Sequence, residues 1–194
     1  MAKPDDPGGR GLIAAGLVPL PLFLIGIGIA GAMVPGYDWV SQHASELSLA
    51  SGFGRTLFTI TVLLWGASFV AFGLGLARLA RWRSAGAICW ILFGMAMCSN
   101  GLWPMGSPMH GLYALGLVSL IAPALCLAEI ERLRSLRGLW RVTVFVSLAG
   151  IFYLWLNLLG LDPQTQRGLT QRLFSSINSA WPAFVAWRLL KADR

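Results

Sequence analysis

TLFTITVLLWGASFVAFGLGLA, residues 56–77, contains no charged side chain. As an α-helix, such a run rises roughly 33 Å, enough to cross the roughly 30 Å hydrocarbon layer of a bilayer. Arg55 precedes it, and Arg78, Arg81 and Arg83 follow it. The rest of the chain repeats this pattern. Apolar runs cover about 11–34, 55–77, 85–103, 109–128, 139–161 and 169–190, and short polar connections separate them. The reading is an all-α integral membrane protein, a six-transmembrane-helix bundle. It forms one domain over 11–190, between flexible tails at 1–10 and 191–194. Composition agrees: 56% of residues are hydrophobic and 12% charged, against about 25% charged in a soluble domain. Pro19 and Pro21 fall inside the first run, where neighbouring helices can repair the break they cause. That run exceeds the roughly 7–15 residue apolar core of a signal peptide, so it is read as an uncleaved span.

The formal net charge is +7. The charges sit in clusters between apolar runs, which makes them topology signals rather than a nucleic-acid surface. Twelve of the fifteen basic residues fall on one side of the alternating spans: Lys3, Arg10, Arg78, Arg81, Arg83, Arg132, Arg134, Arg137, Arg141, Arg188, Lys191 and Arg194. Arg55, Arg167 and Arg172 fall on the other. Basic residues mark the cytoplasmic side, so both termini are expected there. Trp39, Trp103, Trp140, Trp181 and Trp187 lie near expected boundaries and read as interface anchors. Asn100, Asn157 and Asn178 read as interhelical hydrogen-bonding groups. Cys89, Cys98 and Cys126 lie in apolar runs, so neither a disulfide nor a cysteine metal cluster is expected.

The longest polar interruption is YDWVSQHASELSLASGFG, residues 37–54. It holds Asp38, His43, Ser45 and Glu46. Two later polar points, His110 and the Gln171-Arg172 pair, fall on the same side of the spans, as does Arg167. Ionisable groups at a membrane boundary are rare and read as functional first. The candidate site is therefore catalytic Glu46 and His110, with Ser45, and ligand-binding Arg172, Gln171, His43 and Arg167. Glu46 and His110 could move a proton. Arg172, at a helix N-terminus, could hold an anion, either the phosphate of a lipid or Glu46 itself. His43, His110 and Glu46 make a poor zinc set, so no metal or other cofactor is expected. Ser45 lacks a G-x-S-x-G elbow, and adjacent Ser and Glu side chains do not point the same way.

Three places resemble a known family. They are Ser45-Glu46-Leu47 after the first span, Trp103-Pro104 followed by His110, and Gly168-Leu169-Thr170-Gln171-Arg172 opening the last span. Their order and spacing are similar to those of the bacterial six-span membrane proteins grouped as domain of unknown function 998, over roughly 11–190. The family usually has Phe where Trp103 stands. The resemblance implies six spans in a bacterial inner membrane and no named activity. The function expected is an outward-facing polar site that binds or modifies an anionic lipid or similar amphiphile, with membrane lipids as partners. The alternatives are an accessory or structural subunit bound to another membrane protein, and a small-solute transporter. The deep parts of the spans hold only Asn, Ser and Thr as polar groups, which disfavours the transporter. Whether the chain is an enzyme is left open.

Overall fold

The structure, a computed structural model, describes residues 7–112 and 114–192. The outermost expected tail residues, 1–6 and 193–194, lie outside the described residues. The helices are α1 (Gly8–Ala32), α2 (Gly52–Leu79), α3 (Ala85–Leu102), α4 (Ala122–Glu129), α5 (Glu131–Arg134), α6 (Leu139–Leu158) and α7 (Arg167–Ala192). Short 3-10 turns form at Ala44–Leu49 and Leu115–Leu120. Among the described residues no strand forms. Four helices, α1, α2, α3 and α6, are long and apolar enough to cross a membrane.

Within the expected tails, residues 7–10 are helical. At the other end α7 runs through Lys191 to Ala192. Within α1 the two prolines act locally. The backbone tightens to a 3-10 turn at Ala15–Leu17 and widens to a π-turn at Leu22–Gly26, without breaking the span.

Two expected spans differ from the rest. The run 109–128 is not one helix. Gly111, Leu112 and Ala114 take positive φ (73°, 46° and 65°), which turns the chain before the 3-10 segment and α4 begin. The last span, α7, has 26 residues, enough for roughly 39 Å of rise. It is not among the four apolar spans, because it carries Arg167, Arg172, Arg188 and Lys191 as well as Gln171, Ser175 and Asn178, the last three spaced to share one face.

The α2–α3 hairpin forms the spine. Gly66 and Gly94 bring the two backbones together: a Cβ on Gly66 would lie 2.6 Å from the Gly94 carbonyl. Small residues allow this approach, and dispersion at close range replaces the hydrophobic driving force that lipid does not supply. A stacked aromatic column runs through the core, Phe69 on Trp90 and Trp90 on Trp181, each with centroids 5.4 Å apart. Trp181 is wholly buried and donates to Thr143 Oγ1 at 2.9 Å. It is a core residue and not the interface anchor expected from its position. Trp140 and Trp187 are exposed. At one end of the bundle, Glu129 Oε2 accepts from Ser84 Oγ (2.8 Å) and Gly86 N–H (3.1 Å). A carboxylate there satisfies free N–H groups at the α3 N-terminus and complements its dipole. Arg188 donates to the Arg137 carbonyl (2.9 Å) at this same end.

Candidate functional site

At the opposite end, residues 37–49 are clasped onto the first two turns of α7. The clasp follows from what a helix N-terminus lacks. Its first N–H groups have no partner within the helix, and Leu169 N–H donates to the Val40 carbonyl at 3.0 Å. Gly168 lets the loop lie directly on the helix: a Cβ there would sit 2.7 Å from the Trp39 carbonyl and closer still to that of Gln42. Gln171 Oε1 accepts from Ala44 N–H (2.7 Å). Arg172 NH1 reaches the carbonyls of Trp39 (2.8 Å), Gln42 (2.9 Å) and Gly168 (2.8 Å). Its NH2 donates to Tyr37 Oη, and the guanidinium lies over the rings of Trp39 and Tyr37 (5.1 and 5.6 Å). Tyr37 Oη donates in turn to the His43 carbonyl (2.9 Å).

The partner of Glu46 is Arg167 and not Arg172. Arg167 NH2 lies 3.2 Å from Glu46 Oε1, and its Nε donates to the Ser41 carbonyl (3.0 Å). Glu46 Oε1 also accepts from His43 N–H (2.9 Å), and Oε2 accepts from Gln42 Nε2 (3.2 Å). Arg172 is absorbed by backbone carbonyls because a planar fork of N–H donors fits several acceptors at once. Burial pushes the His43 imidazole below its ordinary value, helped by the positive charge of Arg167. Burial also raises Tyr37, against the opposing pull of Arg172. The hydroxyl of Ser41 leads the groups that hold the Asp38 carboxyl below the usual range.

The connection after α3 docks beside this loop. Met105 N–H donates to Ser48 Oγ (2.8 Å), and Ser45 Oγ contacts Met105 Sδ (3.5 Å). His110 Nδ1 lies 2.9 Å from the Trp103 carbonyl. It therefore closes its own turn, and no hydrogen bond among the described residues joins it to Glu46. Nor do His43, His110 and Glu46 gather into a set of metal ligands among the described residues.

Ser45 and Glu46 look in different directions. Glu46 lines a shallow depression with Tyr37, Gln42 and Leu47. Ser45, with Ala44 and Gln171, lines the end of a deeper cavity of about 290 Å³ in the bundle. Phe23, Ile27, Phe58, Val62, Trp65 and Phe93 are among its apolar lining residues. Asn100, Tyr153, Gln171, Ser175 and Asn178 are among its polar lining residues. No Asp, Glu, Lys, Arg or His is among the described residues that line it. Trp65 Nε1 and Asn100 Oδ1 are both shielded from solvent and have no hydrogen-bond partner.

Sequence reading missed Trp65, Ser175, Asn178 and Tyr153. A signal for two of them existed: Gln171, Ser175 and Asn178 recur at i, i+4 and i+7, one face of a helix. Asn157 and Asn100 do not bridge helices as expected. Asn157 Nδ2 donates to Tyr153 O in its own helix (2.8 Å), and Asn100 Nδ2 contacts Met97 Sδ (3.7 Å) one turn back.

These features define a helical, membrane-embedded protein in which a clasped polar loop borders a partly open pocket whose described lining residues carry no charge. The chain belongs to the family described as protein of unknown function (DUF998), whose profile matches residues 12–188. Neither a curated protein nor a solved structure matches it.

Proposed function

We propose that this is a six-span protein of a bacterial inner membrane, with both termini cytoplasmic, and that its internal cavity receives a membrane amphiphile from the outer side. The observation that carries the reading is the cavity of about 290 Å³, lined by aromatic and aliphatic side chains together with a few uncharged polar ones. Ligand sites are typically apolar hollows with a few placed polar groups, upward of about 300 Å³. The cavity is at the small end, which suits one chain or one head group rather than a whole two-chain lipid.

Six spans are supported by contacts at opposite ends of the bundle. Residues 39–48, 105 and 167–172 meet at one end, and Ser84, Glu129, Arg137 and Arg188 pair at the other. The second end carries most of the basic residues, which supports its placement in the cytoplasm. The polar stripe of α7 lines the cavity, which gives its uncharged polar residues a place within a span.

Binding is favoured over chemistry, because Glu46, Arg167 and Arg172 hold the loop and His110 holds its own turn. The expected anionic head-group site at Arg172 is disfavoured for the same reason. Lipid mass spectrometry of purified wild type and a cavity-filling Ser175→Phe variant tests the reading. A lipid that co-purifies with wild type and is depleted in a folded variant supports it. Identical lipid content in both refutes it and favours the accessory-subunit alternative, for which the exposed Phe145, Leu148, Phe152 and Trp155 of α6 would be the contact face.

A further inference from the structure

The excess positive charge of this chain belongs to one end of the bundle. Among the described residues the loop end carries three acids, Asp38, Glu46 and Asp162, against Arg55, Arg167 and Arg172. The other end carries ten basic residues and two acids, Glu129 and Glu131. Glu129 is already engaged by Ser84 and Gly86. Arg137, Arg141, Arg188 and Lys191 form no ion pair among the described residues.

These four cations are gathered at one corner. Arg188 NH1 donates to the Arg137 carbonyl (2.9 Å), which ties the end of α7 to the turn that precedes α6. Arg141 lies on the first turn of α6, and Lys191 lies about one turn beyond Arg188 on α7. Arg141 sits over the Trp140 ring and Lys191 over the Trp187 ring, each at 5.5 Å. A ring contact supplies no acceptor oxygen and leaves the charge in place. Like charges held together repel, so the cluster is favoured where an anion joins it.

The setting of the cluster selects the anion. Trp140 and Trp187 are about half exposed (57% and 50%), and exposed Trp near the end of a span sits at head-group level. From Trp140, the exposed Val144, Leu148 and Phe152 follow at i+4 intervals, an apolar stripe down one face of α6. The cations therefore stand at the head of a hydrocarbon-facing track. A phospholipid complements both parts: its phosphodiester oxygens accept from guanidinium and ammonium N–H groups, and its chains match the stripe. A soluble acidic peptide would cover the cations and leave the stripe unused.

We infer that the α6–α7 corner of the basic end binds an anionic phospholipid. Its phosphodiester is held by Arg137, Arg141, Arg188 and Lys191, and an acyl chain lies along Val144, Leu148 and Phe152. The inference needs membrane residence alone and is independent of what the cavity holds.

The test uses the full-length protein in neutral detergent and native mass spectrometry with two probes of equal chains, dioleoyl phosphatidylglycerol and dioleoyl phosphatidylcholine. The expected result is phosphatidylglycerol binding at least about tenfold more tightly, a gap of about 1.4 kcal/mol. Arg141→Gln/Lys191→Gln removes two of the cations and leaves the Arg188–Arg137 hydrogen bond in place. It should weaken phosphatidylglycerol about fivefold or more, with phosphatidylcholine unchanged. Arg81→Gln/Arg83→Gln removes the same charge from the α2–α3 turn at this end, and should leave phosphatidylglycerol within about twofold of wild type because screening limits the reach of exposed charges. All four substituted side chains are exposed, and thermal unfolding verifies that both variants fold. Equal weakening by the two variants would overturn the site, since the effect would then be one of net charge. Phosphatidylcholine binding as tightly as phosphatidylglycerol to wild type would overturn the anionic ligand itself.

Discussion

Replacing Arg172 by Gln should release the polar loop without unfolding the bundle. Arg172 NH1 has two protons for three carbonyl acceptors, one of which, Gly168, is in its own helix. Counting one charged hydrogen bond to the Trp39 and Gln42 carbonyls and one to Tyr37 Oη gives two bonds between segments. At about 1.5–3 kcal/mol for each bond to a charged group, the clasp contributes about 3–6 kcal/mol. The lower figure is preferred because the side chain is partly exposed, and it corresponds to roughly a hundredfold change in the opening equilibrium. Hydrogen–deuterium exchange reads that equilibrium segment by segment. Amides of residues 37–49 should exchange roughly a hundredfold faster in Arg172→Gln, with α2 and α3 unchanged. Arg172→Lys should recover only part of the protection, since an ammonium cannot span the same acceptors. Unchanged loop exchange in Arg172→Gln would refute the clasp, as would full recovery by Lys.

Three further outcomes are expected. His43 is held below its ordinary value of about 6.5 mainly by burial, so the docked loop favours the neutral ring. That stability is present above pH 6.5 and is lost as pH falls below it toward the depressed value. Loop exchange, corrected for the intrinsic rate, should therefore accelerate between pH 8 and pH 5, and His43→Gln should remove most of that change despite Glu46 and Asp162 nearby. Gly168→Ala places a methyl against the Trp39 and Gln42 carbonyls, and the overpacking should cost about 1–3 kcal/mol, visible as a lowered Tm and a loosened loop. Trp181→Phe strands Thr143 Oγ1 in the core, which should destabilise the bundle by about 1–3 kcal/mol in thermal unfolding, with loop exchange unaffected.

The sequence by itself determined that this chain is helical and built for a membrane. It also indicated which of its loops carries the polar residues. Apolar runs of span length need no tertiary knowledge, because lipid imposes one length and one hydrogen-bonding solution on each. The runs at 55–77, 85–103 and 139–161 correspond to α2, α3 and α6 within a few residues. The run at 109–128 was misleading because composition does not report backbone handedness. Left-handed Leu112 and Ala114 break it, and neither residue type signals that conformation.

Only the tertiary structure decided partners. Arg167 and Arg172 are five residues apart and equally plausible mates for Glu46. The geometry of the helix end, where a planar fork meets free carbonyls, takes Arg172 away and leaves Arg167. Ser45 and Glu46, adjacent in the chain, line separate hollows for the same kind of reason. The cavity itself is made by residues from α1, α2, α3, α6 and α7 and from the Ala44–Leu49 and Leu115–Leu120 turns. Its unpartnered Trp65 N–H and Asn100 carbonyl cannot be recognised from residue type, since a buried polar atom is satisfied or orphaned only by what the rest of the fold brings to it.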